Sequence, residues 1–157
     1  MIILDTNVVS EVLKPAPNPN VVAWLDAQDA AGITITAITA AELRAGVALL
    51  PRGRRKTAVA ARVEAVLEGT FADYVLPFDV DSSGHYAAVL AARRRVGRPI
   101  SALDAQIAAI CLQHDAVLAT RNTGDFARTG ARVVDPWADA VTVARAWHEG
   151  DAAHEQS

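Results

Sequence analysis

The chain opens with a short apolar segment that ends abruptly on an acid. Residues 1–4 are Met, Ile, Ile and Leu, Asp5 follows them, and a helical pattern begins with Thr6 and Asn7. An uninterrupted apolar run of this kind predicts a strand that is buried on both faces. In open α/β sheets, ligands bind at the carboxyl ends of the strands. The opening segment therefore predicts an α/β fold with Asp5 at the edge of the sheet that holds the functional site.

Strand-like and helical segments alternate along the rest of the chain. Further strands are predicted at residues 33–36, 74–78, 116–120 and 132–134, and helices at 7–13, 19–29, 39–50, 54–69, 82–96 and 102–114, with a helical turn near 124–128. Pro77 weakens the third strand and indicates a strand end or a sheet edge. The alternation predicts a three-layer α/β/α sandwich with a mainly parallel central sheet. We expect residues 1–137 to form this domain and residues 138–157 to form a helical extension and a loose tail.

Three further acids each stand three residues after a residue that can cap a helix. The pairs are Thr39 and Glu42, Ser101 and Asp104, and Asn122 and Asp125. Each pair alone is typical of a capping box, in which the carboxylate reaches back to free N–H groups of the first turn. However, helices that follow parallel strands begin at one edge of the sheet, so these carboxylates would also point toward Asp5. The two interpretations are compatible.

The four acids are therefore predicted to converge on a cation. Carboxylates brought together in a low dielectric repel one another unless a cation lies among them or some are protonated. All-oxygen ligands suit Mg²⁺ or Mn²⁺, and the chain contains no Cys/His cluster for zinc. The predicted ligands are Asp5, Glu42, Asp104 and Asp125.

Composition argues against several other classes of protein. Aromatic residues make up only 5% of the chain, so base stacking is not expected to be the main mode of nucleic-acid binding. Cys111 is the single cysteine, which excludes an intrachain disulfide and indicates a small core residue. No signal peptide and no apolar run of membrane-spanning length is present. We expect a soluble, cytoplasmic protein.

Basic residues gather in two clusters although the net charge is −3. The first cluster surrounds Gly53, and the second precedes the helix start at Ser101. Either cluster is explained by a solvated helix end, where basic side chains are favourable. Because the second cluster is close in sequence to a predicted metal ligand, we predict that it contacts nucleic-acid phosphates. Its residues are Arg93, Arg94, Arg95 and Arg98.

Four motifs together resemble a known family, the PIN domain, and within it the VapC-type, FitB-like toxins of bacterial toxin–antitoxin pairs. The resemblance covers residues 1–137, including the terminal Asp-Pro-Trp at 135–137. The motifs are Asp5-Thr6-Asn7, Glu42 in Thr-Ala-Ala-Glu-Leu-Arg, Asp104 in Ser-Ala-Leu-Asp-Ala-Gln-Ile-Ala, and residues 120–126, Thr-Arg-Asn-Thr-Gly-Asp-Phe.

The resemblance implies a metal-dependent endoribonuclease that acts as a toxin. Metal-activated water would hydrolyse RNA phosphodiester bonds and leave a 5′-phosphate. Either Asp125 or Asn122 corresponds to the fourth site residue of the family. Thr6 and Thr120 would support the site through hydrogen bonds. The resemblance also implies a homodimer and a cognate antitoxin, which lays a segment in a groove near the active site. Apolar surface on helices 19–29 and 54–67 would serve either contact.

Two other functions stay open from the residues alone. A haloacid-dehalogenase-like phosphatase also begins with an Asp at the end of its first strand, but it needs a second carboxylate where this chain has Asn7. A non-catalytic PIN-fold module would bind RNA or a partner without cleaving it. Retention of all four acidic positions argues against that module, since a decayed site should have lost some of them.

Overall fold

The computed structural model describes residues 1–138, in which five strands form a single parallel sheet between two layers of helices. This confirms the predicted α/β/α fold. The elements are β1 (Ile2–Leu4), α1 (Thr6–Val12), α2 (Pro19–Asp26), β2 (Ile33–Thr36), α3 (Ala37–Ala48), α4 (Arg54–Ala65), β3 (Val75–Leu76), α5 (Val80–Arg95), α6 (Ala102–Gln113), β4 (Val117–Ala119), α7 (Thr123–Phe126) and β5 (Arg132–Val134). Apart from residue 138, the predicted helical extension and loose tail lie outside the described residues.

Two hydrophobic clusters hold the layers on the sheet. Successive side chains of a strand point to opposite faces, and in β1 the buried Leu4 packs with helices α1–α4 while the buried Ile3 packs with α5 and α6. The predicted core position of Cys111 is confirmed in the second cluster. Burial raises the pKa of the Cys111 thiol to about 12, so the side chain stays protonated as a small core residue.

The strand order β3-β2-β1-β4-β5 places β1 at the centre of the sheet. Because all pairs are parallel, the carboxyl ends of the strands meet at one edge. Asp5 follows β1 at this edge, and its backbone N–H donates to the Ala119 carbonyl of β4 at 2.9 Å. The short strand β3 lies at the border of the sheet, as Pro77 predicted.

Helix α3 begins earlier than the sequence pattern predicted. Its N-cap is Thr36, the last residue of β2, whose hydroxyl accepts a hydrogen bond from the Thr39 N–H at 3.1 Å. Glu42 therefore lies in the second turn of α3, and the predicted Thr39–Glu42 capping box is wrong. The chain turns into the helix directly at the strand end because Thr36 is itself a good capping residue.

Two of the predicted helices are shorter than expected. Helix α4 ends at Ala65 and continues as a π-helical turn over Val66–Thr70, and α2 ends at Asp26 before a 3₁₀ turn over Ala30–Gly32. Among residues 1–138, no helix combines the length and the apolarity that crossing a membrane requires.

Candidate active site at the carboxyl edge of the sheet

Asp5 is the most tightly held acid at this edge. Its side chain is only 5% exposed. One carboxylate oxygen, Oδ1, accepts the Thr6 backbone N–H at 2.8 Å and so caps α1. The other, Oδ2, accepts the Thr120 hydroxyl at 2.6 Å and the Asn7 side-chain amide at 2.8 Å. Three donors from β4 and α1 thus orient a buried carboxylate that has no basic partner among the described residues.

Thr6 connects Asp5 to Glu42. While its backbone binds Asp5, the Thr6 hydroxyl donates to Glu42 Oε2 at 2.5 Å. Within residues 1–138, Glu42 Oε1 accepts no hydrogen bond. Glu42 therefore reaches the site from the second turn of α3, with one oxygen committed and one available.

Asp104 enters from the first turn of α6. Ser101 caps this helix, since its hydroxyl accepts the Asp104 N–H at 3.1 Å and donates to Asp104 Oδ2 at 2.7 Å. The reciprocal bond of a capping box, from the carboxylate to the cap's own backbone N–H, is not among the contacts of the described residues. The carboxylate binds the Ser101 hydroxyl instead, and its Oδ1 is available.

Three acids share an electrostatic environment. Burial raises the pKa of Asp5, its hydrogen bonds lower it, and the charge of Asp104 raises it further. Burial likewise raises the pKa of Glu42, and the charges of Asp5 and Asp104 add to this effect. In the described part of the chain, none of the three forms an ion pair with a basic side chain. The site thus gathers three acids that have no counterion among residues 1–138.

The donors at this site fit a hydrated hard cation. No three His, Cys, Asp or Glu side chains within residues 1–138 form a ready-made ligand set for a metal ion. Mg²⁺, however, keeps several of its waters and takes only one or two direct carboxylate ligands. The available oxygens of Glu42 and Asp104, together with Asp5, offer such contacts and orient water. These three residues would hold the ion.

Asp125 stands apart from this group. It is exposed in α7, and it is not among the charges that raise the pKa of Asp5 or Glu42. Asn122 precedes α7 without capping it through its side chain, and its backbone N–H donates to the Thr120 hydroxyl at 3.0 Å. The structure places Asp5, Glu42 and Asp104 near enough for their charges to act on one another, and the ligand role of all four acids stays a prediction.

Asn7 is a site residue that was not predicted from the sequence. Its amide nitrogen donates to Asp5 Oδ2 and to the Thr120 hydroxyl, and its amide oxygen accepts the Arg121 backbone N–H at 3.1 Å. One carboxamide thus connects α1, β4 and the central acid. Its place two residues after Asp5 was the available signal, since side chains in the first turn of a helix face back toward the strand end.

The predicted arginine cluster needs one correction. Arg93 is 5% exposed, and its guanidinium donates to the Ala127 carbonyl at 2.6 Å. It holds the segment after α7 instead of presenting a charge to a ligand. Arg94, Arg95 and Arg98 are exposed at the end of α5 and in the loop that leads to Ser101.

The raised pKa values predict how the metal-free protein responds to pH. A folded state that binds these protons more tightly gains stability below the ordinary carboxyl pKa and loses it as pH rises through the raised values. Glu42→Gln removes one of these titrations and keeps an acceptor for the Thr6 hydroxyl. In EDTA, the Tm of this variant should therefore fall less than that of the wild type between about pH 4.5 and about pH 7.5.

Differential scanning fluorimetry at both pH values provides the measurement. Acids outside the site, such as Glu64, whose pKa is lowered by Arg44, titrate alike in the two proteins, so their contribution to the fall in Tm is the same in both. An equal fall in Tm for both proteins would contradict the conclusion that the pKa of Glu42 is raised in the folded state.

Comparison with known proteins identifies the fold family. A family model described as PIN domain matches residues 2–132. Toxin FitB of Neisseria gonorrhoeae is 45% identical over 139 residues, covering 88% of this chain and 100% of the relative. VapC ribonuclease Y4jK of Sinorhizobium fredii is 42% identical over 140 residues, covering 89% of this chain and 100% of the relative.

A solved structure described as FitAB bound to an IR36 DNA fragment matches with a TM-score of 0.82 and 43% identity, covering 88% of this chain and 97% of that one. The family model and these relatives each match most of the chain, and the protein therefore belongs to the PIN-domain family, alongside Toxin FitB and VapC ribonuclease Y4jK.

Proposed function

We propose that the protein is an endoribonuclease that acts as the toxin of a toxin–antitoxin pair and depends on Mg²⁺ or Mn²⁺. The observation that carries the proposal is the group Asp5, Glu42 and Asp104, whose charges act on one another and which form no ion pair with a basic side chain of residues 1–138. Relatives of similar length are named a toxin and a ribonuclease. The proposed partners are an RNA substrate and a cognate antitoxin protein. Because RNA is found in the cytoplasm, we propose that the protein acts there. We also propose that it forms a homodimer.

Some residues of the site orient the acids, and the acids themselves supply the negative charge. When bound, the metal ion supplies an activated water and stabilises the charge on the scissile phosphate. Thr120 and Asn7 fix the orientation of Asp5, and Thr6 sets the distance between Asp5 and Glu42. Glu42 and Asp104 each offer a free oxygen that can accept a proton or orient water. Asp125, or alternatively Asn122, would complete the site from the loop after β4.

The exposed arginines fit the backbone of an RNA substrate. Arg94 and Arg95 lie in the last turn of α5, and Arg98 lies in the loop before the helix that carries Asp104. Helices α5 and α6 are antiparallel neighbours, so this loop lies at the same end of the pair as the site. Phosphate contacts of this kind position a substrate and do not read its sequence.

A groove beside the acids fits the antitoxin segment that the family resemblance implies. It has a volume of about 580 Å³ and runs between α1, α3 and α4. Thr6 and Glu42 line one part of it, while Leu43, Val59 and Val63 provide apolar walls. An apolar segment with a basic side chain directed at Glu42 would fill this groove. The predicted surface of helix 54–67 contributes to it, whereas α2 does not line it.

Incubation with RNA tests the proposal. Purified toxin should cleave single-stranded RNA with Mg²⁺ or Mn²⁺, stop in EDTA and leave 5′-phosphate ends. Mn²⁺ should also raise the Tm of the metal-free protein, because it binds only the folded state. Metal-independent cleavage, or no cleavage of any RNA together with no response to Mn²⁺, would overturn the proposal. Hydrolysis of a phosphomonoester without RNA cleavage would favour the phosphatase.

A further inference from the structure

Arg121 has a fixed place beside the acids but no assigned role. It follows Thr120, the residue that donates to Asp5 Oδ2, and its side chain is exposed. Its backbone N–H donates to the Asn7 side-chain oxygen at 3.1 Å, and the amide of Asn7 donates to Asp5. The Arg121 backbone is therefore tied to the central acid through a single side chain.

The Arg121 guanidinium lies over an aromatic ring. Its central carbon is 5.4 Å from the centroid of Trp137, within the range of a cation–π contact. The backbone of Trp137 is itself held from two sides, because its backbone N–H donates to Asp135 Oδ1 at 2.9 Å and its backbone carbonyl accepts the Asn20 side-chain amide at 3.1 Å. This ring limits the conformations of the guanidinium without occupying its N–H donors.

The charge of Arg121 is not committed to an acid of the described chain. Within residues 1–138, no carboxylate lies within ion-pair distance of it. Glu11 is near enough to be influenced by Arg121, but its two oxygens already accept the Lys14 ammonium at 2.6 Å and the Asn18 N–H at 2.9 Å. A planar guanidinium with five donors and no acid partner is suited to a phosphate.

Arg121 also does not act as the counterion of the site. Within residues 1–138, Arg121 forms no ion pair with Asp5, and the charge of Asp104 raises the pKa of Asp5. Its ring partner, Trp137, packs against the hydrophobic cluster of the α1–α4 layer. Arg94, Arg95 and Arg98 lie in the opposite layer, with α5. Basic side chains therefore flank Asp5 on both faces of the sheet.

We propose that Arg121, oriented by Trp137, binds a backbone phosphate of the RNA substrate next to the scissile bond. The RNA strand would then cross the carboxyl edge of the β-sheet. It would run from the α5 side, past Asp5, to the α1–α2 side. This inference rests on the proposed function and adds a second phosphate-binding position, on the side opposite the arginine cluster.

Fluorescence anisotropy with a fluorescein-labelled single-stranded RNA in EDTA tests the inference, since EDTA stops metal-dependent cleavage. Arg121→Gln should weaken binding several-fold and reduce the slope of log K against log salt by about 0.7 between about 50 and 200 mM KCl, the value for one phosphate contact on a single strand. Arg121→Lys keeps the charge but loses the planar fork. It should retain most of the salt slope with an intermediate affinity.

Arg132→Gln is a matched control. Arg132 is also exposed, but it begins β5 at the opposite edge of the sheet and pairs with Asp115 at 3.0 Å, so its replacement should leave RNA binding unchanged. An Arg121→Gln protein with wild-type affinity and salt slope would refute the inference while leaving the nuclease intact. An equal loss for Arg121→Gln and Arg121→Lys, with a lowered Tm in both, would show that Arg121 only braces Trp137. A wild type that neither binds nor cleaves RNA would instead refute the proposed function.

Discussion

Replacing Asp104 by asparagine should reduce RNA cleavage by about two to three orders of magnitude while the fold persists. The change removes one negative charge from the group that would hold the metal ion. It leaves the start of α6 intact, because the Asp104 N–H still donates to Ser101, and the new amide oxygen accepts the Ser101 hydroxyl. We expect a change in unfolding free energy of less than about 1 kcal/mol.

The measurement combines initial cleavage rates with Tm in EDTA and the Tm shift caused by Mn²⁺. Asp81→Asn is the matched control, since Asp81 also lies in the first turn of a helix, α5. That turn is at the other end of the α5–α6 pair, where Ser82 contacts Gln113. The control should cleave RNA normally. If the Asp104 variant cleaved at the wild-type rate, the carboxylate would be only part of the helix start.

Much of the fold could be predicted because its signals are local. The apolar run that ends on Asp5 and the alternation of strand and helix patterns both follow from burial on two faces of a parallel sheet. The π-helical turn at Val66–Thr70 was not predicted, and β3 covers only Val75–Leu76 of the strand predicted at 74–78. Both depend on how the chain after α4 packs against its neighbours, and hydrophobic spacing in one segment carries no such information.

The site was only partly predictable, and one prediction rested on an incorrect reason. Glu42 was assigned to a first helical turn, yet it reaches Thr6 and the environment of Asp5 from the second turn of α3. Its place depends on the packing of α3 beside α1, which a capping pattern does not describe. Asn7 was missed because its role depends on its hydrogen bonds to Asp5 and to the distant Thr120, and no local pattern predicts the second of these.

The sequence also did not show which arginines of the cluster at residues 93–98 point to solvent and which point to the core. Consecutive helical residues point about 100° apart, so a run of three arginines must present more than one face. Val89 is an apolar residue one turn before Arg93, and this spacing was a usable signal that Arg93 points inward. In the structure Val89 is 1% exposed. The pairing of Arg121 with Trp137 joins the ends of β4 and β5, and no local pattern predicts it.

Phe126→Ala should produce the largest loss of stability among these variants. Phe126 is 1% exposed and packs in the cluster formed by α5 and α6, although α7 has only four residues. So short a helix has little stability of its own, and this one ring anchors it to the core. Truncation of a buried phenylalanine costs about 3–5 kcal/mol, and the Tm should fall by roughly 10 °C or more.

Urea unfolding monitored by circular dichroism provides the measurement, with Leu103→Ala as the control. Leu103 is 46% exposed on α6, so its truncation should cost less than about 0.5 kcal/mol. Residual cleavage by the Phe126 variant, measured well below its Tm, then reports on the loop that carries Asn122 and Asp125. If that loop supplies the fourth ligand, cleavage should fall although Asp5, Glu42 and Asp104 are untouched. A folded variant with wild-type cleavage would show that the reaction does not require an ordered α7.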